Sequence, residues 1–200
     1  MSTPSSAAPR PVLQQNQGAA YTRIYAYGAA RGEKSPAYYG HTGPEFMELL
    51  AQKNAQPHRT LIGRKTFDAL SGVPEAYRDD SYRRMTENPG WVVSSKLASV
   101  SWPGLTALDS GFLDTIRAER ASQGAEIRTM GSLSIVRQLL AANLLDRLRL
   151  IYCPLILPQS GIEPFFKGMP DQKFELKGHR ILDGEVVLLD YRPDGMPHYA

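Results

Sequence analysis

The sequence predicts an α/β fold in three layers: a mostly parallel central sheet, helices on both faces, and an antiparallel hairpin at its end. Three observations predict it. Short runs of strand character recur between longer runs with helical spacing, which is what strands joined by crossover helices produce. The last two such runs flank Asp183-Gly184, the strongest hairpin turn signal in the chain. The length of 200 residues, 42% of them hydrophobic, suits one domain. A chain of that size buries roughly 70% of its unfolded surface and needs no disulfide or metal to hold a core.

Residues 1–20 carry three prolines, three serines, three glutamines and the single charge Arg10. Such a segment buries too little apolar surface to offset ordering entropy and is expected to be a disordered tail. It has neither a charged n-region nor an apolar h-region, so it does not read as a signal peptide. The domain is expected over 21–194, with 195–200 a second short tail.

TRIYAYGA (22–29) alternates and is rich in aromatic and β-branched residues, so it reads as the first strand. A loop rich in Gly, Pro and Tyr follows. PEFMELLAQKN then places Phe46, Leu49, Leu50 and Lys53 at helical spacing, with Pro44 suited to the first turn. RTLIG is a short strand running into a helix at RKTFDAL. The stretch from Ser71 to Gly90 reads as an irregular connector with at most a pair of helical turns.

WVVSS (91–95) and GLTAL (104–108) are strands, FLDTIRAERASQ an amphipathic helix, and AEIRTM a strand broken by Gly131. Ser132 is placed to cap the helix SLSIVRQLLAANLL, whose apolar stripe is Leu133, Val136, Leu139, Leu140 and Leu144. RLRLIYCPLIL reads as a long strand stopped by Pro158. KFELKGHRILDGEVVLLDYRP supplies the closing hairpin.

Composition narrows the function. No apolar run approaches the roughly 20 residues that cross a bilayer. The lone Cys153 lies in an apolar run and reads as a buried, unreactive thiol, and the absence of a cysteine framework points to a reducing cytoplasm. His41, His58, His179 and His198 are scattered, with no pair at ligand spacing, so no metal is expected. The net charge of +3 is only mildly basic. Arg78, Arg83 and Arg84 are interleaved with Asp79 and Asp80, a solvated face rather than a nucleic-acid stripe.

Ligands of open parallel sheets sit beyond the carboxyl ends of the strands. Three such ends share one chemistry here: Gly63-Arg64-Lys65-Thr66, Ser94-Ser95-Lys96, and Gly131-Ser132-Leu133-Ser134 opening a helix. Each sets backbone N–H groups, hydroxyls or cations where a phosphate can be held. Each is ordinary by itself; the repetition at three strand ends carries the reading. Neither a G-x-G-x-x-G fingerprint nor a P-loop is present.

LIGRKTFDAL, PGWVVSSKL, IRTMGSLSIVRQLLAANLLDRLRLIYCPLIL and ELKGHRILDGEVVLLDYRP, in that order over 59–193, resemble the dihydrofolate-reductase-like superfamily. They are closest to the reductase domain of bacterial riboflavin biosynthesis and its stand-alone relatives. The resemblance implies a dihydrofolate-reductase-like fold and an NADPH-dependent oxidoreductase. Its substrate would be a small pteridine-like or aminopyrimidine-like heterocycle.

It implies that Gly63, Arg64, Lys65 and Thr66 hold the NADPH phosphates, and that Ser94, Ser95 and Lys96 approach the adenosine ribose and its 2′-phosphate. Gly131, Ser132, Leu133 and Ser134 would lie along the pyrophosphate and nicotinamide side. Ala26, Tyr27 and Gly28 would line the nicotinamide pocket through their backbone. Family members often pair, so a homodimer is implied.

Two departures stand out. The family's double glycine is here Gly131-Ser132-Leu133, and the first strand leads into GAARGEKSPAY rather than a Ser-Leu-Asp-Gly segment. A dihydrofolate reductase proper keeps a carboxylate on the helix before the Gly-Arg turn. Glu45, then Glu48, are the acids to examine there, against a plain reading as helix-surface or first-turn acids. The altered glycine turn also leaves open a second class of function, a non-catalytic nucleotide-binding or regulatory module on the same fold.

Overall fold

The computed structural model describes residues 22–26 and 43–199, apart from 98, 123, 155–165, 167 and 170. In chain order its elements are β1 (Thr22–Ala26), α1 (Pro44–Asn54), β2 (His58–Gly63), α2 (Arg64–Ser71), a 3-10 turn at Glu75–Tyr77, α3 (Asp80–Glu87), β3 (Gly90–Val93) and β4 (Leu105–Leu108). Then come α4 (Phe112–Ala121), β5 (Glu126–Met130), α5 (Leu133–Ala141), β6 (Arg147–Tyr152), β7 (Phe174–Leu182) and β8 (Val186–Pro193). The described strands form one sheet in the order β4-β3-β2-β5-β1-β6-β8-β7. From β4 to β6 every pairing is parallel; β8 runs antiparallel to both β6 and β7.

Alternation along the strands sends neighbouring residues to opposite layers. Leu61 and Trp91 pack with Phe112 and Ile116 of α4 and with Ile135, Val136 and Leu139 of α5. Their neighbours Ile62 and Val92 pack on the other face with Phe67 of α2, Trp102, and Tyr82 and Met85 of α3. On that second face α1 seats Phe46 and Leu49 against Leu182, Val186 and Leu188. Each fully buried Leu, Ile or Phe contributes about 1.5–3 kcal/mol. The three-layer dihydrofolate-reductase-like architecture is therefore the one the sequence predicts.

The pair of helical turns expected in the connector after Ser71 is there as the eight-residue α3, whose N-terminus is capped by the Asp79 carboxylate accepting from Tyr82 N–H at 2.8 Å. Other details differ from the expectation. The helix after Gly131 stops at Ala141 rather than continuing through Leu145, since Asn143 turns left-handed at φ 53°. The strand expected over 147–157 is assigned only to Tyr152, and the last expected residues of the first strand, 27–29, fall outside the described range. Cys153 is half-buried rather than buried, and desolvation raises its thiol pKa above the ordinary value.

The hairpin turn has the predicted chemistry: Asp183 and Gly184 both take positive φ, 52° and 77°, and Glu185 N–H donates to the Leu182 carbonyl at 3.1 Å. It also does something the sequence does not announce. The Asp183 carboxylate accepts from the amides of Glu45 (2.8 Å) and Phe46 (3.0 Å), and the Glu45 carboxylate accepts in return from Asp183 N–H (2.7 Å). This is the reciprocal pattern of a capping box, assembled between residues 138 apart. At the other end of α1, the buried Arg128 donates to the Lys53 carbonyl and to Gln56 Oε1, a cation where the helix dipole favours one.

Beyond β8 the chain still hydrogen-bonds. Lys173 N–H donates to the Gly195 carbonyl (2.9 Å), Asp194 N–H to the Lys173 carbonyl (2.8 Å), and the Tyr199 hydroxyl to Asp171 (2.6 Å).

Candidate functional site

β3, β2, β5 and β1 are consecutive in the sheet and parallel, so their carboxyl ends lie on one edge. The registers Gly63↔Val93, Leu61↔Thr129 and Tyr25↔Met130 bring those ends level. At a strand spacing of about 4.8 Å the four ends span roughly 14 Å. This edge carries all three turns singled out from the sequence, and Ala26 closes the row as the last residue of β1. Tyr27 and Gly28 lie outside the described residues.

Two of the turns touch. The Ser132 hydroxyl accepts from Gly63 N–H at 2.6 Å and lies 3.0 Å from Thr66 Oγ1, where either hydroxyl can donate. Gly131 and Ser132 reach this position through consecutive left-handed backbone, φ 63° and 61°. A side chain at Gly131 would press against Thr66 Oγ1 at 3.2 Å besides carrying the cost of that φ. Ser132 bears such a cost, about 1–2 kcal/mol for a residue with a Cβ. It does not cap α5, the role its position suggested: no side chain caps that helix, and its hydroxyl crosses to the neighbouring turn.

Helix starts leave N–H groups without intrahelical acceptors. Gly63 N–H is taken by Ser132, and Ile135 and Val136 N–H close on the Ser132 carbonyl. The amides of Arg64, Lys65 and Thr66 on α2, and of Leu133 and Ser134 on α5, make up the rest of the two first turns. No side chain caps α2 either. Around them stand cations: Lys65 and Lys96 are exposed, and exposed Arg64 keeps its Nε on Asp68 at 3.2 Å.

The third turn is more self-contained. Ser94 N–H donates to the Leu108 carbonyl (2.7 Å) and the Ser94 hydroxyl accepts from Lys96 N–H (3.1 Å). Ser95 and Lys96 present exposed side chains. The donor set as a whole is amides, hydroxyls and cations, with Asp68 paired to Arg64, which fits a phosphorylated dinucleotide.

The acids examined as proton donors are placed otherwise. Glu45 is occupied by the Asp183 amide, and Glu48 accepts from Gln52 Nε2 at 2.9 Å on the outer face of α1. Glu45 is thus a first-turn acid and Glu48 a helix-surface one. Sequence reasoning also passed over Asp183 as a helix cap; Asp in a tight turn reads only as a turn residue, and nothing local points to α1.

The described chain resembles known structures at low sequence identity. A pyrimidine reductase-like protein from Corynebacterium diphtheriae superposes with TM-score 0.59 at 14% identity, over 88% of this chain and 92% of that one. The Thermotoga maritima diaminohydroxyphosphoribosylaminopyrimidine deaminase/5-amino-6-(5-phosphoribosylamino)uracil reductase gives 0.57 at 13%, over 88% of this chain and 57% of that longer one. Dihydrofolate reductase from Enterococcus faecalis, complexed with NADP(H), gives 0.52 at 14%, over 86% and 96%. No curated protein matches by sequence. The family model of the RibD C-terminal domain matches residues 29–188, most of the chain and all the turns described above. This chain belongs to the RibD C-terminal domain family.

Proposed function

We propose that the protein is an NADPH-dependent reductase that transfers a hydride to a small heterocycle of pteridine-like or aminopyrimidine-like type. The observation that carries this reading is the stitched pair of turns, 63–66 and 131–134, with 94–96 on the next strand of the same edge. Bound NADPH would supply the hydride chemistry itself, leaving the protein to bind, align and exclude water.

In this reading the first-turn amides of α2 hold a phosphate at the positive end of the helix dipole, and Arg64 adds a guanidinium fork. Lys96, at the far end of the row, faces the 2′-phosphate. Gly131 allows the cofactor to approach backbone where a side chain would obstruct it. With Glu45 and Glu48 committed elsewhere and Asp68 paired with Arg64, the site works chiefly by alignment.

Titrating NADPH into the purified protein tests the reading, followed by intrinsic fluorescence and thermal shift. Saturable binding is expected, with NADPH preferred over NADH by about tenfold or more, and Arg64→Ala is expected to remove about tenfold of the NADPH affinity. A flat response at millimolar cofactor overturns it.

The commitment of Glu45 favours a second reading, a nucleotide-binding module that does not turn over. Cofactor binding without NADPH oxidation across pterins, aminopyrimidines and quinones would select it.

A further inference from the structure

The opposite edge of the sheet holds a cleft of about 500 Å³, within the size range of small-ligand pockets. It opens where β6 begins and β8 ends, so it lies roughly 17 Å along β6 from the dinucleotide turns. Four cations line it, Arg120, Arg147, Lys177 and Arg192, against the two acids Asp146 and Asp194.

Every one of these cations has a carboxylate partner, and two of the carboxylates are shared. Glu175 serves both Lys177 (2.9 Å) and Arg192 (2.5 Å). Asp190 serves both Arg147 (2.8 Å) and Arg149 (2.9 Å). Arg120 pairs with Asp146 (2.5 Å), and Asp194 with Lys173 (2.7 Å). Within the lining itself four cations face two carboxylates, and Glu175 and Asp190, which partner three of those cations, lie outside it.

These cations are not buried uniformly. Arg147 and Arg149 are held against a carboxylate 4% exposed, whereas Arg192 and Arg120 are 53% and 38% exposed at the cleft. The cleft is lined by guanidinium and ammonium groups from β7, β8 and α4, namely Lys177, Arg192 and Arg120. The amide side chains of Asn143 and Gln172 lie on the same wall, and Leu140, Leu145 and Pro193 offer apolar surface to the body of a ligand.

We propose that this cleft is a second ligand site, for a small dianion of the phosphate class, either free phosphate or a phosphate monoester. Lys177, Arg192 and Arg120 hold the anionic oxygens, and the excess volume takes what the phosphate is attached to. The site is independent of the dinucleotide edge and of the reading given above for it.

Isothermal titration of the full chain with inorganic phosphate, at fixed ionic strength in chloride, tests the proposal. Saturable binding near 1 mM is expected, weakened about fivefold or more by Arg192→Gln and by Lys177→Gln, each an exposed or half-exposed position. Arg64→Gln, at the other edge, leaves it unchanged. Glycerol 3-phosphate distinguishes the sources: tighter binding than phosphate assigns a monoester, equal binding assigns the free ion. No saturable binding overturns the proposal. So does binding that survives in both cleft variants, or that disappears in Arg64→Gln.

Discussion

In the parallel half of the sheet, β2 and β3 end in apolar residues, Leu61 and Ile62 beside Trp91, Val92 and Val93, and polar groups gather on the turns just beyond them. In the antiparallel half, β6 and β8 carry their charges within the sheet itself, as Arg147, Arg149 and Asp190. The first arrangement leaves amides and cations at the surface, where Arg64 and Asp68 are each about half exposed. The second encloses them: the Asp190 carboxylate accepts from Arg147 twice, at 2.9 and 2.8 Å, and from Arg149 at 2.9 Å. The contrast teaches that charge density by itself does not mark a ligand site. The polar groups of the turns have few protein partners, and those of the network have all they need.

The largest expected effect breaks the enclosed half. Asp190→Asn removes a carboxylate from two guanidinium groups that are less than one-fifth exposed. Removing one member of such a network costs about 3–5 kcal/mol, to be read from the urea midpoint. The pH dependence follows from the same contacts. Burial pushes the Asp190 carboxyl upward, but the hydrogen bonds and charges of Arg147 and Arg149 outweigh it and hold the pKa below the ordinary value. A depressed carboxyl stabilises the fold above its unfolded pKa, about 3.9, and that contribution is lost as pH falls through the folded one. The stability gap between the native chain and Asp190→Asn should therefore narrow below about pH 4. A constant gap down to acid unfolding contradicts the assignment.

A smaller effect is expected where the two halves are tied together. Asp183→Ala removes the cap of α1 and should lower stability by about 1–2 kcal/mol. Glu45→Gln keeps an acceptor for the Asp183 amide, so its effect on turnover should stay within about twofold. A large loss of turnover with unchanged stability would restore Glu45 as a proton donor.

The smallest effect sharpens the open half. Ser132→Ala and Ser132→Gly both delete the hydroxyl that joins the turns, but only alanine retains the strain of φ 61°. Glycine should be the more stable of the two by about 1 kcal/mol, measured by thermal unfolding. Equal stabilities would mean that the turn relaxes when the hydroxyl is gone.

Much of the architecture was legible in periodicity, because each strand and most helices bury one definite stripe. α3 was legible only as a pair of turns somewhere in a connector: its sequence DSYRRMTE offers Tyr82 and Met85 to the core, and the signal that fixes its start is the cap, Asp79, three residues before Tyr82. The position of β1 between β5 and β6 could not be read, since strand order is decided by packing between segments far apart. The same holds for the site. The three turns were visible as residue types, yet a serine before a helix reads as that helix's own cap. Its true acceptor role, toward an amide 69 residues earlier, exists only once β2 and β5 are neighbours.

The reciprocal cap between Glu45 and Asp183 has a consequence for how the molecule is made. Synthesis proceeds at about 5–20 residues per second, so roughly 7–28 s separate the emergence of α1 from that of the turn that completes its first amides. Through that interval the apolar stripe of Phe46 and Leu49 has no Leu182, Val186 or Leu188 to rest on. The first of the described helices is thus settled late, because its cap and its apolar seat arrive with residues 182–188.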